Sequence, residues 1–212
     1  SRGLGDVYKR QLLILYKVIS MLTISDMRNQ NMDNTPYTDE QLLFVSSVLN
    51  NIQWKWTPFS SADISVEKQK GAFGDVYVLH IDKLCYMTTY PADILDHRTI
   101  LEEAYGDILL TGLGLGVGVV FAYHNPKVSS ITVIENNSTI IEKIAPMICK
   151  NMTRITPNVI EQDANMWVPD RHFDFAYIDH AYSRADSERY QEYCTRVVNW
   201  YDERVKLEKT WR

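Results

Sequence analysis

The sequence predicts an α/β fold built on a parallel sheet, and three observations carry that expectation. The run Ile108-Leu-Leu-Thr-Gly112-Leu-Gly114-Leu-Gly116-Val-Gly118 reads as a buried strand, a glycine turn and the start of a helix. Ile131-Thr-Val-Ile-Glu135 reads as a second buried strand that ends in a carboxylate. From Gly106 onward strand-like and helix-like runs alternate, the pattern of parallel strands whose crossover helices cover both faces.

Upstream of that region the elements follow in order. Residues 25–35 are polar and rich in Asn and Asp and read as a loop. Thr38-Asp-Glu-Gln41 is a capping-box pattern ahead of the apolar Leu42-Leu-Phe-Val45, so a helix is expected to about Leu49. Trp54 and Trp56 alternate with polar neighbours, as in a half-buried strand. Gly74–Ile81 and Leu84–Thr89 are strand-like, with Asp82-Lys83 as a two-residue hairpin turn lacking the usual glycine. Pro91 can open a helix over Ala92–Glu103, because its missing N–H is not needed there. The alternating part then gives strands at Ile108–Thr111, Ile131–Glu135, Asn158–Gln162 and Phe173–Asp179. Helices fall at about Gly116–Tyr123, Ser138–Cys149 and Arg184–Tyr201. The expected class is thus a Rossmann-like parallel sheet with helices on both faces, short or truncated after the fourth strand, preceded by a small helix plus β-hairpin segment. In these terms residues 21–104 form the N-terminal appendage and residues 105–212 the cofactor-binding domain.

Bulk properties narrow the function classes. The chain has 212 residues, 45% hydrophobic and 23% charged, ordinary for a globular protein. A net charge of −5 gives no reason to expect general nucleic-acid binding, which needs clustered Lys and Arg. Cys85, Cys149 and Cys194 lie far apart and, like the five histidines, show no metal-ligand spacing. They read as reduced structural thiols of a cytoplasmic protein, and no metal is expected. Ser1–Gln11 reads as the in-frame translation of a sequencing-library adapter joined to a metagenomic read, and residues 1–20 as adapter plus upstream read-through before Met21. Removing Ser1–Gln11 takes the net charge from −5 to −7. The apolar run Leu12–Ile19 is too short to span a membrane and lacks a cleavage site.

The glycine spacing selects among ligands of such a sheet. A dinucleotide fingerprint needs a third small residue, and that position is Val117 counted from Gly112 or Val119 counted from Gly114. Gly112, Gly114 and Gly116 instead satisfy GxGxG, which bares the backbone to a ligand and leads to a helix N-terminus suited to an anion; the bland alternative is a sheet whose glycines only make a turn. Glu135, 23 residues after Gly112, is placed to accept from ribose hydroxyls. Asp163-Ala164 follows the third strand, where S-adenosylmethionine enzymes place an acid and the next backbone N–H against the adenine ring. S-adenosylmethionine, with a carboxylate in place of a pyrophosphate, is the cofactor these features fit.

On these motifs residues 106–182 resemble the core of class I S-adenosylmethionine-dependent methyltransferases. Val76–Thr89 and Asp93-Ile-Leu-Asp96-His97 further resemble the β-hairpin and linking helix of the spermidine synthase-like group, including short phage-like relatives with a Trp-containing tail. That group uses decarboxylated S-adenosylmethionine and transfers an aminopropyl group. The departures are specific. Leu115 stands where those enzymes carry the aspartate of GGGDG, Tyr86 where they carry a glutamine, and Ala92-Asp93-Ile94 near their Tyr-His-Glu. The resemblance therefore implies a methyltransferase of small-molecule or side-chain acceptors, with aminopropyl transfer or non-catalytic nucleoside binding as alternatives. A homo-oligomer is compatible with it.

Asp179, at the end of the fourth strand, is the expected catalytic group, orienting or deprotonating the acceptor; helix capping is its bland alternative. Asp179-His-Ala-Tyr182 loosely resembles the Asp-Pro-Pro-Tyr loop of amino methyltransferases, without the prolines. His180 and Tyr182 are thus acceptor-side candidates, with His180 either a proton carrier or a polar loop residue. Asp93, Asp96 and His97 share a helical face that could attract a cationic acceptor or simply be solvated. Met147, Met152, Met166 and Trp167 read as packing residues. The segment Tyr190–Trp211 could cap the sheet edge or form an interface.

Overall fold

A computed structural model describes residues 38, 40, 41, 43–45, 56–71, 74–180 and 196. The expectations for residues 25–35, Trp54, Tyr182, most of Arg184–Tyr201 and nearly all of Tyr190–Trp211 lie outside the described residues. Two four-stranded sheets organise the rest. The first is antiparallel, in the order β1-β2-β3-β4, with β1 Phe59–Ser60, β2 Ile64–Gly71, β3 Gly74–Ile81 and β4 Leu84–Thr88. Two short helices follow, α1 Pro91–Asp96 and α2 Arg98–Glu103. The second sheet is built from β5 Gly106–Thr111, β6 Val128–Glu135, β7 Asn158–Glu161 and β8 Phe175–Ile178, with α3 Val117–His124 and α4 Ser138–Cys149 as crossovers. All its pairings are parallel, in the order β7-β6-β5-β8.

That order creates the one place where loops must diverge. The chain steps from β5 outward to β6 and β7, then returns to place β8 on the other side of β5. The loops after β5 and β8 therefore face each other at the C-terminal ends of the strands, the switch point at which open α/β sheets hold ligands. The last four residues of β5 and the last five of β6 are buried, as central parallel strands require. On α3 Val117, Val119, Val120, Phe121 and Ala122 are all buried, so this helix is enclosed on most sides. On α4 only Ile140, Ile144 and Ile148 are buried, a single stripe at i, i+4, i+8, and the Asn137 side chain caps the helix by accepting from the Ile140 N–H at 3.2 Å. One buried cluster runs from Ile64, Val66, Tyr77 and Leu79 of the antiparallel sheet to Leu110, Leu113 and Leu115 at the head of β5. No helix among the described residues is long and apolar enough to cross a membrane.

Several local expectations hold in atomic detail. The Thr38 N–H donates to Gln41 Oε1 at 2.9 Å and the Gln41 N–H to Thr38 Oγ1 at 3.2 Å, the reciprocal pair of a capping box. The Asp82-Lys83 turn has φ of 50° and 65°, the two positive values of a type I′ hairpin, carried here by non-glycine residues.

Two expectations need correction. Trp56 is not in a strand; it lies in an irregular segment, buried, with its ring 5.0 Å from that of Tyr77. The helix over Ala92–Glu103 is two helices broken at His97. The His97 ring Nδ1 lies 2.7 Å from the Asp93 carbonyl, the group that the His97 backbone N–H would otherwise take to continue the helix. Asn125 then anchors the second half: its buried side chain donates to the carbonyls of Ile100 at 3.0 Å and Ala104 at 2.6 Å.

The hairpin turn yields a direct test. A non-glycine residue in the left-handed region costs roughly 1–2 kcal/mol, and the greater unfolded-state entropy of glycine offsets about 0.5–1 kcal/mol of that. Lys83→Gly is therefore expected to stabilise the fold by up to about 1 kcal/mol in urea unfolding. A loss of stability on that substitution contradicts the turn assignment.

Candidate functional site

The site is assembled from the ends of β5, β6, β7 and β8, and β5 supplies its spine. Beyond Thr111 the chain turns through Gly112, Gly114 and Gly116, all with positive φ. The sequence reading expects these bare Cα atoms to face a ligand. The structure shows protein against each of them. A Cβ on Gly112 would meet the Asp179 backbone oxygen at 2.6 Å, one on Gly114 would meet Met87 Sδ at 2.6 Å, and one on Gly116 would run into the Ile148 side chain. Gly112 thus lets the end of β8 pass close to the loop, and Gly116 lets α4 pack on it. Gly114 is different, because its neighbour is the far end of a flexible side chain.

Glu135 holds this loop in place. It is 6% exposed, and its Oε2 accepts from the Leu113 N–H at 2.7 Å while Oε1 accepts from the Asn137 N–H at 2.9 Å. A carboxylate has about four lone-pair positions, so two backbone donors leave capacity for further hydroxyl donors. The opposite side of the loop is gripped by the appendage. The Leu115 N–H donates to Met87 Sδ at 3.1 Å, and Trp56 Nε1–H donates to the Leu115 carbonyl at 2.8 Å. The Leu115 side chain is fully buried. Among the described residues its N–H is met by a thioether, a weak acceptor.

The β7 and β8 ends are joined through His180. Its Nδ1 lies 2.8 Å from Thr111 Oγ1 and its Nε2 3.4 Å from Asn165 Oδ1. Asn165 in turn donates from its backbone N–H and its side chain to Asp163 Oδ1, at 2.8 and 3.0 Å. Asp163 is exposed and Ala164 buried, packed with Leu109, Ile134, Phe173 and Ala176. Burial pushes the His180 pKa down to about 4, against the opposing pull of Asp179 and Asp163. This imidazole is neutral near pH 7, and its contacts make His180 a strut between loops.

Asp179 has a partner that the sequence did not reveal. Its Oδ2 lies 3.3 Å from Nε2 of His97, which is buried behind it. Burial alone would lower the His97 pKa; the hydrogen bond and charge of Asp179, the Asp93 carbonyl and the Asp96 charge outweigh it and raise the value above the ordinary 6.5. Tyr177 completes the cluster, its ring 5.4 Å from that of His97. Burial, then the charges of Asp179, Asp96 and Asp93, hold the Tyr177 hydroxyl well above its usual pKa, so it stays protonated.

The remaining acceptor-side candidates separate. Asp93 is not part of an open acidic face: it is 4% exposed, and its Oδ2 accepts from both the N–H and the hydroxyl of Thr88, tying α1 to the end of β4. Asp96 is half-buried, and its carbonyl faces the Tyr177 hydroxyl at 3.4 Å. Met152 is buried and Met147 and Trp167 pack against the two core clusters, but Met166 is 66% exposed and is no packing residue. Among the described residues no group of three or more His, Cys, Asp or Glu is placed to hold a metal. Sequence reasoning missed Met87 and Trp56 as parts of the site, and it placed His97 on an acidic helix face by its i, i+4 spacing from Asp93 rather than behind Asp179.

The His180 environment has a consequence for stability. Its pKa is lower in the folded chain than the ordinary 6.5, so the unfolded chain binds the proton first as pH falls. Stability is therefore lost between pH 6.5 and about 4, with a slope of at most about 1.4 kcal/mol per pH unit from this one group. His180→Gln is expected to flatten that part of the curve relative to the parent protein, measured by urea unfolding at a series of pH values. Parallel curves for the two proteins would show that His180 is solvated.

Comparisons with known proteins return remote likenesses. No family model matches the chain. No curated protein matches it either. Among solved structures it is similar to a DhpI-SAM-HEP complex, at 17% identity and a TM-score of 0.36, covering 48% of this chain and 42% of that one. It is similar to spermidine synthase from Thermotoga maritima at 17% identity and a TM-score of 0.42, covering 58% and 47%. A spermidine synthase in complex with the transition-state analogue AdoDATO aligns at 14% identity and a TM-score of 0.48, covering 71% of this chain and 54% of that one. The matched region thus spans about half the length of these structures.

Proposed function

We propose that the chain is an S-adenosylmethionine-dependent methyltransferase. The observation that carries this reading is the convergence, at the β5/β8 switch point, of a GxGxG loop, the Glu135 carboxylate tied to it and the Asp179 carboxylate beside it. Glu135 would add ribose hydroxyls to the two backbone donors that it already accepts. Asp163 and the Ala164 N–H, at the end of the next strand, are the groups for an adenine ring. The Leu115 N–H, now on a thioether, would be offered to a carboxylate once the flexible Met87 side chain swings aside; a charged oxygen is a far stronger acceptor than sulfur. S-adenosylmethionine supplies a methyl group on a sulfonium, and transfer then needs chiefly an acceptor held in line, the role assigned to Asp179. Small molecules and side chains carrying an amine or hydroxyl are the acceptor class.

The rival is aminopropyl transfer from decarboxylated S-adenosylmethionine. Leu115 bears on it directly: the position at which aminopropyltransferases carry an aspartate is here a fully buried leucine with both backbone groups engaged. No carboxylate is available there for a cationic aminopropyl chain. A decarboxylated nucleotide also lacks the group that would displace Met87 from the Leu115 N–H. The remote likenesses run to both kinds of enzyme and do not choose between them.

Titration calorimetry separates the readings. S-adenosylmethionine and S-adenosylhomocysteine are expected to bind, the decarboxylated nucleotide at least tenfold more weakly, about 1.4 kcal/mol. Glu135→Gln is expected to weaken the binding of either carboxylated nucleotide by a comparable factor. Tighter binding of the decarboxylated form would transfer the assignment to the aminopropyl class, and no binding of any of the three would leave a Rossmann-like sheet without this function.

A further inference from the structure

His97 is the least expected member of the site. It lies on no strand end and belongs to the break between α1 and α2, yet its imidazole is buried between two acceptors. Nδ1 is 2.7 Å from the Asp93 carbonyl, a group that can only accept, so Nδ1 carries the hydrogen. The tautomer is thereby fixed. In a neutral ring Nε2 would present a lone pair to Asp179 Oδ2, 3.3 Å away, lone pair against lone pair. The contact is attractive only when one proton lies between the two atoms: imidazolium against carboxylate, or neutral ring against protonated carboxyl. The surroundings favour the charged ring. Asp93 and Asp96 approach from α1, Asp179 and the protonated Tyr177 from β8, and the bare Cα of Gly118 on α3 lies against the ring edge, while the adjacent Arg98 at the start of α2 pairs with Glu102 and Glu40.

We propose that His97 is the positioning residue for Asp179: its Nε2–H holds Oδ2, and the second carboxylate oxygen is thereby left to orient the acceptor. This rests on the acceptor-side role given to Asp179 above. It explains why α1 and α2 are separate helices, since the ring that breaks them is the ring that reaches the end of β8. It also places a chain of contacts between the appendage and the catalytic end of the sheet, from Thr88 through Asp93 and His97 to Asp179. The side-chain exposures fit the division of labour, 7% for His97 and 31% for Asp179: the supporting group is enclosed and the working group reaches the crevice.

Nitrogen-15 NMR of the imidazole rings tests this in the ligand-free protein. His97 is expected to titrate with a midpoint above the ordinary 6.5, one that falls in Asp179→Asn. In the parent protein alone, the Asp179 carboxyl carbon-13 resonance should shift at the same midpoint, because the charge of the ring hydrogen-bonded to it changes there. A His97 midpoint at or below 6.5, or an Asp179 resonance blind to it, would overturn the pairing whether or not the variant folds. Cofactor calorimetry is independent of both readouts. Loss of nucleotide binding with the shared titration intact removes the methyltransferase reading and keeps the pair; binding with separate titrations removes only the positioning role.

Discussion

The structure depends on one topological constraint: β5 is paired on both sides, with β6 and with β8, in a parallel sheet buried on both faces. A strand so placed has no freedom of register, because a one-residue slip would exchange its two buried faces. The chain leaving β5 must therefore turn away at a fixed point, against the loop that leaves β8. Gly112 marks that point. A side chain there would meet the backbone of Asp179, so the sheet closes around the site only with glycine in this place. The position of the catalytic candidate and the geometry of the glycine loop are two results of the same pairing.

Upon that spine the site is held together by polar contacts that each serve two ends. Glu135 fastens the β5 loop to the start of α4 through two backbone N–H groups, and the same carboxylate is the one placed for a sugar. Met87 and Trp56 bring the antiparallel sheet and the segment before it onto Leu115 from opposite polar sides. His180 braces the loops after β5 and β7 as a neutral ring, while the two acceptors around His97 raise its pKa above the ordinary 6.5. The two histidines show how a few ångströms decide a side chain's state. One has a hydroxyl and an amide for partners, the other a carbonyl and a carboxylate.

The legible part of this molecule is the part whose signals are local. The alternating half could be placed to within a few residues because β5 and β6 are continuous apolar runs and α4 carries a clean stripe of isoleucines. The capping box and the hairpin turn were readable for the same reason: their partners lie within four residues. Strand β2 was invisible because only its first three positions, Ile64 to Val66, are substantially buried, and the rest, Glu67 to Lys70, is exposed. Trp56 looked like a strand residue because alternation says nothing about an indole N–H that seeks a carbonyl 59 residues away. The site divides likewise. The strand-end carboxylates Glu135 and Asp179 follow from the strand pattern, whereas the Met87–Leu115 and His97–Asp179 contacts join residues that only the tertiary fold brings together. Glycine spacing implies room for a ligand; at two of three positions the room is taken by the chain itself, which spacing cannot distinguish.

The central claim is that the crevice between the β5 and β8 loops is a nucleoside site whose present closure over Gly114 is a movable side chain. A crystal structure of the complex with S-adenosylhomocysteine tests it most directly. The account predicts ribose hydroxyls on Glu135, the ligand carboxylate on the Leu115 N–H, and Met87 Sδ displaced from its 3.1 Å contact. A map in which Met87 keeps that contact and Glu135 serves the backbone alone, with ligand elsewhere or absent at saturating concentration, would contradict it.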